Sequence, residues 1–367
     1  MIIGVPKEIK SGEFRVAITP LNAALLVKEG HKVVVQTLAG SGSGFSDSQY
    51  IDAGALVVQS AEELYEAAEL IVKVKEPQPI EYKLLNEKHT LFCYLHLAAM
   101  RELTSVLVEK KVCAIAYETV AVGNELPLLK PMSEIAGKMS PIVAAYHLSR
   151  YQGGEGILIS GSDSVAGANV IIIGAGNAGK SAAKIAMGMG ANVTVTNRTV
   201  AKLDRLQKEF SDIKTFVYSP QELLKELRDA DIVISTVLIH GGAGAPKLIT
   251  REMLRGMKEG AVFVDIAIDQ GGTAETSRPT THIDPVFIEE GVIHYCVANM
   301  PGAYPKTSSV ALSNATISYI LKLAKQGVLN AIANDSSLAL GVNTYNGTLT
   351  NGAVAKTHNL EFKPLFL

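Results

Sequence analysis

Three glycines and four charged or titratable residues carry most of the chemistry that can be read from this chain. Val170-Ile-Ile-Ile-Gly174-Ala-Gly176-Asn177-Ala178-Gly179 is an apolar run, a GxGxxG turn and the start of an Ala-rich helix. In that setting Gly174 permits a tight turn. Gly176 lets the backbone approach a pyrophosphate, and Gly179 allows close helix–strand packing. Amides near Asn177 and Ala178 would face the anion at the positive end of the helix. The chemistry implied is dinucleotide binding. The same letters also spell the phosphate loop of nucleotidases, Gly174-x-x-x-x-Gly179-Lys180-Ser181. Three features oppose that reading. Gly176 has no purpose in it, the strand Val193–Thr196 ends in a polar pair where a ribose should lie, and it leaves the first third of the chain without a role.

Arg15 and Lys75 lie on loops next to apolar strands. A guanidinium can hold a carboxylate with two parallel bonds. Lys75 reads as the last residue of an apolar strand, which would aim it into the crevice where α/β sheets bind ligands. Taken alone, either residue could equally be a solvated surface charge. His96 follows the strand Leu91–Leu95, where an imidazole could serve as acid and base; a histidine there can also simply cap or fill a core. Asp269 ends the strand Val262–Ile268 before Gln-Gly-Gly, where a turn cap is the plainer alternative. The other seven histidines show no metal-ligand spacing, so no metal site is expected.

The elements that must position these residues alternate from the start. Ile2–Val5, Lys32–Gln36, Leu70–Val74, Leu91–Tyr94 and Val112–Ala116 read as strands. Pro20–Glu29, Ala61–Ala68 and Ala99–Lys110 read as helices, and Ala39–Gly44 as a flexible loop. Met132–Arg150 reads as one long helix. A second set follows, with strands Asn169–Ile173, Asn192–Thr196, Ile232–Thr236 and Ala261–Ile268. Its helices are Gly179–Met189, Ala201–Phe210, Pro220–Leu227 and Thr250–Met257. A Ser/Asn-rich helix, Ser308–Gln326, precedes a tail that looks helical, then polar and loop-rich. Such alternation predicts an α/β protein with two Rossmann-like doubly wound domains and a cleft between them. The expected substrate domain is discontinuous, residues 1–128 plus 306–367, and the dinucleotide domain spans 129–305.

Composition excludes other classes. The chain has 367 residues, 47% hydrophobic and 19% charged, with 34 basic and 36 acidic residues and a net charge of -2. That is ordinary for a packed globule and unlike a disordered chain. No basic field points to nucleic acid, and no apolar run of ~18 residues points to a membrane. Cys93, Cys113 and Cys296 are odd in number and form no CxxC pair, so a disulfide framework is not expected. With no signal-peptide pattern at the start, a cytoplasmic location is the expectation.

Several blocks together resemble the alanine dehydrogenase and transhydrogenase alpha-subunit family. They are Val5-Pro-Lys-Glu-Ile-Lys, Glu13-Phe-Arg15-Val-Ala-Ile-Thr-Pro, Leu70-Ile-Val-Lys-Val-Lys75-Glu-Pro and Leu91-Phe-Cys-Tyr-Leu-His96. Ile115-Ala-Tyr-Glu-Thr, Leu128-Leu-Lys-Pro-Met132-Ser133-Glu, Val264-Asp-Ile-Ala-Ile-Asp269, Ser277-Arg278-Pro-Thr-Thr and Cys296-Val-Ala-Asn299-Met300-Pro continue the match, which runs from residue 2 to about 350. The resemblance implies reversible oxidation of L-alanine to pyruvate and ammonia with a nicotinamide cofactor. It assigns the carboxylate and carbonyl of the substrate to Arg15 and Lys75, proton transfer to His96, and orientation of water or ammonia to Asp269. Asp269 would then face His96 across the cleft, so that catalysis depends on domain closure. It puts Met132, Ser133, Val297, Asn299 and Met300 near the nicotinamide and its ribose, and counts Ala298 among the cofactor residues. Ile266, Ala267, Ile268 and Arg278 are also cofactor residues, and Ser219, Leu238 and Ile239 line the adenine side. A homohexamer is implied as well. A soluble transhydrogenase-like subunit or a non-catalytic dinucleotide sensor is the alternative function.

Two segments depart from the family pattern. Ser160-Gly-Ser-Asp-Ser-Val replaces Gly-Gly-Val-Pro-Gly-Val, and is expected to alter only a loop. Asn197-Arg198-Thr199, with Lys202 one turn on, stands where the family usually has Asp to bond both ribose hydroxyls. The triplet looks like the clamp of NADP-using shikimate dehydrogenases, so the cofactor is NAD or NADP.

Overall fold

Strands that are apolar on both faces must be covered by helices on both faces, and this requirement shapes each of the two units. The computed structural model describes residues 1–237 and 244–365. The chain divides into Met1–Met132 with Tyr304–Leu367, and Ser133–Ala303. The first unit begins with β1 (Ile2–Val5), β2 (Lys32–Gln36), β3 (Leu56–Val58), β4 (Leu70–Val72), β5 (Thr90–Cys93) and β6 (Cys113–Ala116). The second holds β7 (Asn169–Ile173), β8 (Asn192–Asn197), β9 (Lys214–Val217), β10 (Ile232–Ser235), β11 (Val262–Asp265), β12 (Val286–Glu289) and β13 (Val292–Tyr295). The chain then returns to the first unit with β14 (Val342–Tyr345) and β15 (Thr348–Leu349).

In the first sheet the order is β15-β14-β6-β5-β4-β1-β2-β3. Strands β1 to β6 are mutually parallel, and β14 and β15 add an antiparallel edge. The winding therefore reverses between β1 and β4. In the second sheet the order is β12-β13-β11-β10-β7-β8-β9, parallel except for β12, and the reversal falls between β7 and β10. Both are doubly wound, and ligands of such sheets bind outside the carboxyl ends of the strands at the reversal.

Alternate residues of the second sheet feed separate cores, as the period of two requires. Val170, Ile172, Val195, Ile234 and Val264 pack with Ala136, Met139, Ala182 and Ala186 from the helices Lys130–His147 and Asn177–Gly188. Ile171, Ile173, Val233 and Phe263 pack on the other face with Leu223, Leu227 and Leu254. In the first unit Ile71, Leu91, Cys93, Ala114 and Ala116 are buried with Leu64, Leu103 and Leu107.

Several expected elements need correction. The strand predicted to run to Ile268 stops at Asp265, because the Asp265 carboxylate accepts the Ala267 amide (3.1 Å) and starts a 3-10 turn, Ile266–Gln270. The strand predicted to Val74 stops at Val72, and Lys75 lies three residues beyond it. Ladder bonds from Lys73 N to Phe92 O and from Tyr94 N to Val74 O carry the segment past the strand's end. His96 follows a strand that ends at Cys93. The long helix spans Lys130–His147, with Pro131 in its first turn, where a missing N–H costs no bond. The segment Ala39–Gly44 is an ordered turn: the buried Ser43 hydroxyl donates to Phe14 O (3.0 Å) and meets Ser309 Oγ at 2.8 Å. The tail, read as polar and loop-rich, supplies β14, β15 and the helix Gly352–His358. The departing segment around Ser160 forms a turn closed by a bridge between Ser162 and Val165.

Candidate active site

Residues with chemistry gather at the carboxyl ends of neighbouring strands in each sheet. In the first unit Arg15 follows β1, Lys75 follows β4, His96 follows β5 and Glu118 follows β6. These four strands are consecutive in the sheet and include the reversal.

Arg15 is 2% exposed. Its Nε donates to Glu13 Oε1 at 2.6 Å and its Nη2 to Glu13 Oε2 at 2.5 Å, a fork-to-fork pair. Nη1 lies 3.1 Å from Met132 Sδ. Burial raises the Glu13 carboxyl, but the Arg15 guanidinium outweighs it and holds the group below its ordinary value. Burial likewise opposes the Arg15 charge, and Glu13 more than offsets this. The pair keeps a guanidinium charged and oriented inside the protein, where a carboxylate ligand gains most from it.

His96 sits in the left-handed region, φ 49°. A non-glycine residue there costs about 1–2 kcal/mol, and Glu118 offsets the cost. Its Oε1 accepts the His96 amide at 2.6 Å, and both oxygens accept the Leu95 amide at 3.2 Å. The same carboxylate stands 4.0 Å from His96 Nδ1. The imidazole is half exposed and stacks on the buried Tyr94 ring, with centroids 6.0 Å apart. Tyr94 is itself fixed by a 2.6 Å bond from its hydroxyl to Leu128 O.

In the second unit the glycine loop follows β7, the reversal strand. Gly174 has φ 110°, and a Cβ there would lie 2.6 Å from Thr236 Oγ1. A Cβ on Gly179 would come within 1.9 Å of Gly174 O, so the helix Asn177–Gly188 could not pack on β7. Gly176 differs. Its backbone is extended and nothing lies within 4 Å of where a Cβ would be. No protein contact requires glycine at 176, and its amide and those of Asn177 and Ala178 begin a helix that lacks a side-chain cap. This fits a pyrophosphate cradle. Lys180 pairs with Glu209 at 2.7 Å, as a solvated residue of the first helical turn does. Gly179→Ala is expected to lower Tm, since overpacking costs about 1–3 kcal/mol. Gly176→Ala is expected to leave Tm unchanged and weaken NADH binding. Calorimetry and fluorescence titration read the two effects separately, and Gly176→Ala with native affinity would remove the loop from the site.

The remaining cofactor candidates follow neighbouring strands. Asn197 ends β8, with its Nδ2 donating to Thr199 O at 3.3 Å; Arg198 is exposed, and Lys202 lies in the first turn of the helix Val200–Glu209. Ser219 follows β9 and caps the helix Pro220–Leu227 by accepting the Glu222 amide. Ile266, Ala267 and Ile268 form the turn after β11, and Val297 to Met300 follow β13. Asp269 is exposed, and its Oδ1 accepts the Asn299 amide at 3.3 Å, so these two candidates are neighbours. Arg278 lies over the Phe287 ring, 3.9 Å from its centroid. Ser133 lies on the long helix. Leu238 and Ile239 lie outside the described residues.

Sequence reasoning passed over four supporting residues. Glu13 and Glu118 hold Arg15 and His96. Buried Asp265 accepts from Ser277 Oγ (2.6 Å) and Thr273 N (2.7 Å) and so closes the loop that carries Asp269; burial pushes its carboxyl up. Gly137 lets the long helix approach, for a Cβ there would lie 2.2 Å from Ala178 O. The available signal was a carboxylate directly after an apolar strand, at Glu118 and at Asp265. Among the described residues no group of three or more His, Cys, Asp or Glu could hold a metal ion, and no helix is long and apolar enough to cross a membrane.

The N-terminal domain of the alanine dehydrogenase/PNT family matches residues 4–136, and its C-terminal domain matches residues 140–352. The alanine dehydrogenase of Mycolicibacterium smegmatis is 50% identical over 364 residues, 99% of this chain and 98% of that protein. That of Bacillus subtilis is 47% identical over 366 residues, 99% and 96% of the two chains. A solved L-alanine dehydrogenase superposes with a TM-score of 0.94 at 45% identity, covering 98% of this chain and 99% of that one. A transhydrogenase from Sinorhizobium meliloti gives 0.82 at 25% identity, covering 96% and 100%. Matched in both domains and along almost its whole length, the chain belongs to the alanine dehydrogenase/PNT family.

Proposed function

We propose that the protein catalyses the reversible oxidative deamination of L-alanine to pyruvate and ammonia. The observation that carries this reading is the charge set of Arg15, Lys75 and His96 at the carboxyl ends of adjacent strands β1, β4 and β5. Likeness to alanine dehydrogenases over 99% of the chain supports it. When bound, a nicotinamide dinucleotide supplies the acceptor or donor for the hydride at the substrate α-carbon. The loop Gly174–Gly179, Asn197 and the turn Ile266–Ile268 would hold it, with Asn299 and Met300 beside its ribose. Arg15 and Lys75 bind the carboxylate and the carbonyl oxygen of the 2-oxo acid. His96 takes and returns the proton as water adds to the imine and ammonia leaves. Asp269 orients that water or ammonia. Purified protein given L-alanine and NAD should form pyruvate and ammonia in equal amounts. A chain that binds NADH but leaves L-alanine unreacted would instead be a sensor or a transhydrogenase-like subunit. Buried free thiols at Cys93, Cys113 and Cys296 support a reducing, cytoplasmic setting, and the family likeness supports a homohexamer, which sedimentation measures.

We further propose that NADP is accepted beside NAD. An amide, Asn197, ends β8 where a carboxylate would repel a 2′-phosphate, and the exposed Arg198 offers a planar fork to that group. A charged hydrogen bond is worth ~1.5–3 kcal/mol, so Arg198→Ala should lower kcat/KM for NADP by about 10- to 150-fold and spare NAD. A preference for NAD above about a hundredfold, unchanged by Arg198→Ala, would refute the clamp.

A further inference from the structure

Beside Lys75 lies a buried group of charges to which the reaction assigns nothing. Lys73 is 0% exposed, with Nζ 3.2 Å from Glu8 Oε2 and 3.0 Å from Glu81 Oε1. Glu81 also accepts from Tyr65 Oη at 2.9 Å and from the Gln78 amide at 2.8 Å. The two oxygens of Glu8 do different things. Oε2 faces Lys73, while Oε1 accepts the Val74 amide at 2.6 Å and reaches the Lys75 amide at 3.4 Å. On the far side of Lys75, buried Glu76 is ion-paired with Lys10. Side chains from the loop after β1 therefore grip the chain on both sides of Lys75.

Stability gives little reason for such an arrangement. A buried ion group is often matched or bettered by apolar residues of the same volume. Burial raises the Glu8 carboxyl toward protonation, with Lys73 opposing it. Burial would likewise discharge Lys73, and the two carboxylates more than offset that. What the group provides is direction. Through Glu8 Oε1 it engages two successive amides beyond the end of β4, those of Val74 and Lys75.

We propose that Glu8, held by Lys73, is a positioning residue for substrate recognition: it sets the backbone at Val74 and Lys75 so that the Lys75 ammonium meets the oxygens of the 2-oxo acid. This rests on the substrate role proposed above for Lys75. Two substitutions separate the parts of Glu8. Glu8→Gln keeps an acceptor for the Val74 amide and loses the charge; Glu8→Asp keeps the charge and loses the reach. In the full-length enzyme, Glu8→Asp is expected to raise the pyruvate KM at least about tenfold, the loss of one charge-assisted bond, with NADH affinity within about twofold. Glu8→Gln should stay within about threefold of wild type in KM, because it rescues the amide bond. The opposite ranking, or a Glu8→Asp enzyme with native pyruvate KM, overturns the proposal. So does a Glu8→Asp enzyme whose NADH affinity and Tm fall in step with its KM, for that is a general structural defect. Lys75→Met in the same assay guards the premise. If it leaves pyruvate KM unchanged, the substrate reading fails; if it raises KM and Glu8→Asp does not, the positioning role alone fails.

Discussion

His96→Ala is expected to lower kcat for alanine oxidation by about 10²–10⁴-fold, the range for a positioned acid–base group, while NADH affinity barely moves. The imidazole is half exposed and stacked on Tyr94, so its removal leaves no buried cavity and the variant should fold. Glu118 touches the His96 amide and stands near its ring, so Glu118→Gln should reduce kcat less than loss of the imidazole and shift the pH profile of kcat. Single-turnover measurements distinguish chemistry from product release. A His96→Ala enzyme with most of its turnover, or one that loses NADH binding in equal measure, would take the proton transfer away from this residue.

Arg15→Met is expected to destabilise the protein by about 3–5 kcal/mol, because Glu13 is left as a buried carboxylate without its partner. The sign with pH follows from the pair. In the wild type the Glu13 carboxyl lies below its unfolded value, so its contribution is present above that value and lost as acid titrates through the folded one. In the variant, burial acts on Glu13 without the guanidinium and raises it, so stability is lost as pH rises above the unfolded value. The Tm gap between the two proteins should therefore widen from about pH 4 toward neutrality. Glu13→Gln added to Arg15→Met should close most of that gap and leave pyruvate binding impaired. A double variant that binds pyruvate normally would remove Arg15 from the site.

The parts of this molecule legible in its sequence are those where local pattern and tertiary demand agree. The run Val170–Ile173 is apolar at every position because both faces of the strand are buried, and the outer glycines of GxGxxG follow from the positive φ of Gly174 and from the backbone approach of Gly174 O to Gly179, which no Cβ survives. The strands before Lys75 and Asp269 end sooner than their apolar runs for one shared reason. Val74 and Ile266–Ile268 are as apolar as the strands before them, but carboxylates, Glu8 from the loop after β1 and Asp265 at the end of β11 itself, accept the amides of Val74 and Ala267. Strand β14, Val-Asn-Thr-Tyr, hid in a polar tail because its polar groups are satisfied in the fold: Thr344 Oγ1 donates to Val112 O and Asn343 Nδ2 to Gly341 O. The partners Glu13 and Glu118 were invisible as partners, since their role lies in where a carboxylate points.

The discontinuity of the first unit bears on how the chain is made. The edge of β6 is covered by β14, about 230 residues further along, and the amides of Val16 and Thr19 flanking the Arg15 loop bond to hydroxyls of Ser309 and Ser313. At ~5–20 residues per second, a ribosome needs roughly 10–50 s to deliver the missing strand. Meanwhile the second unit, one continuous stretch ending at Ala303, has been synthesised in full, and a parallel sheet waits with a bare edge that invites pairing with another nascent chain. The first unit is thus begun first and finished last, with β6 uncovered until β14 arrives.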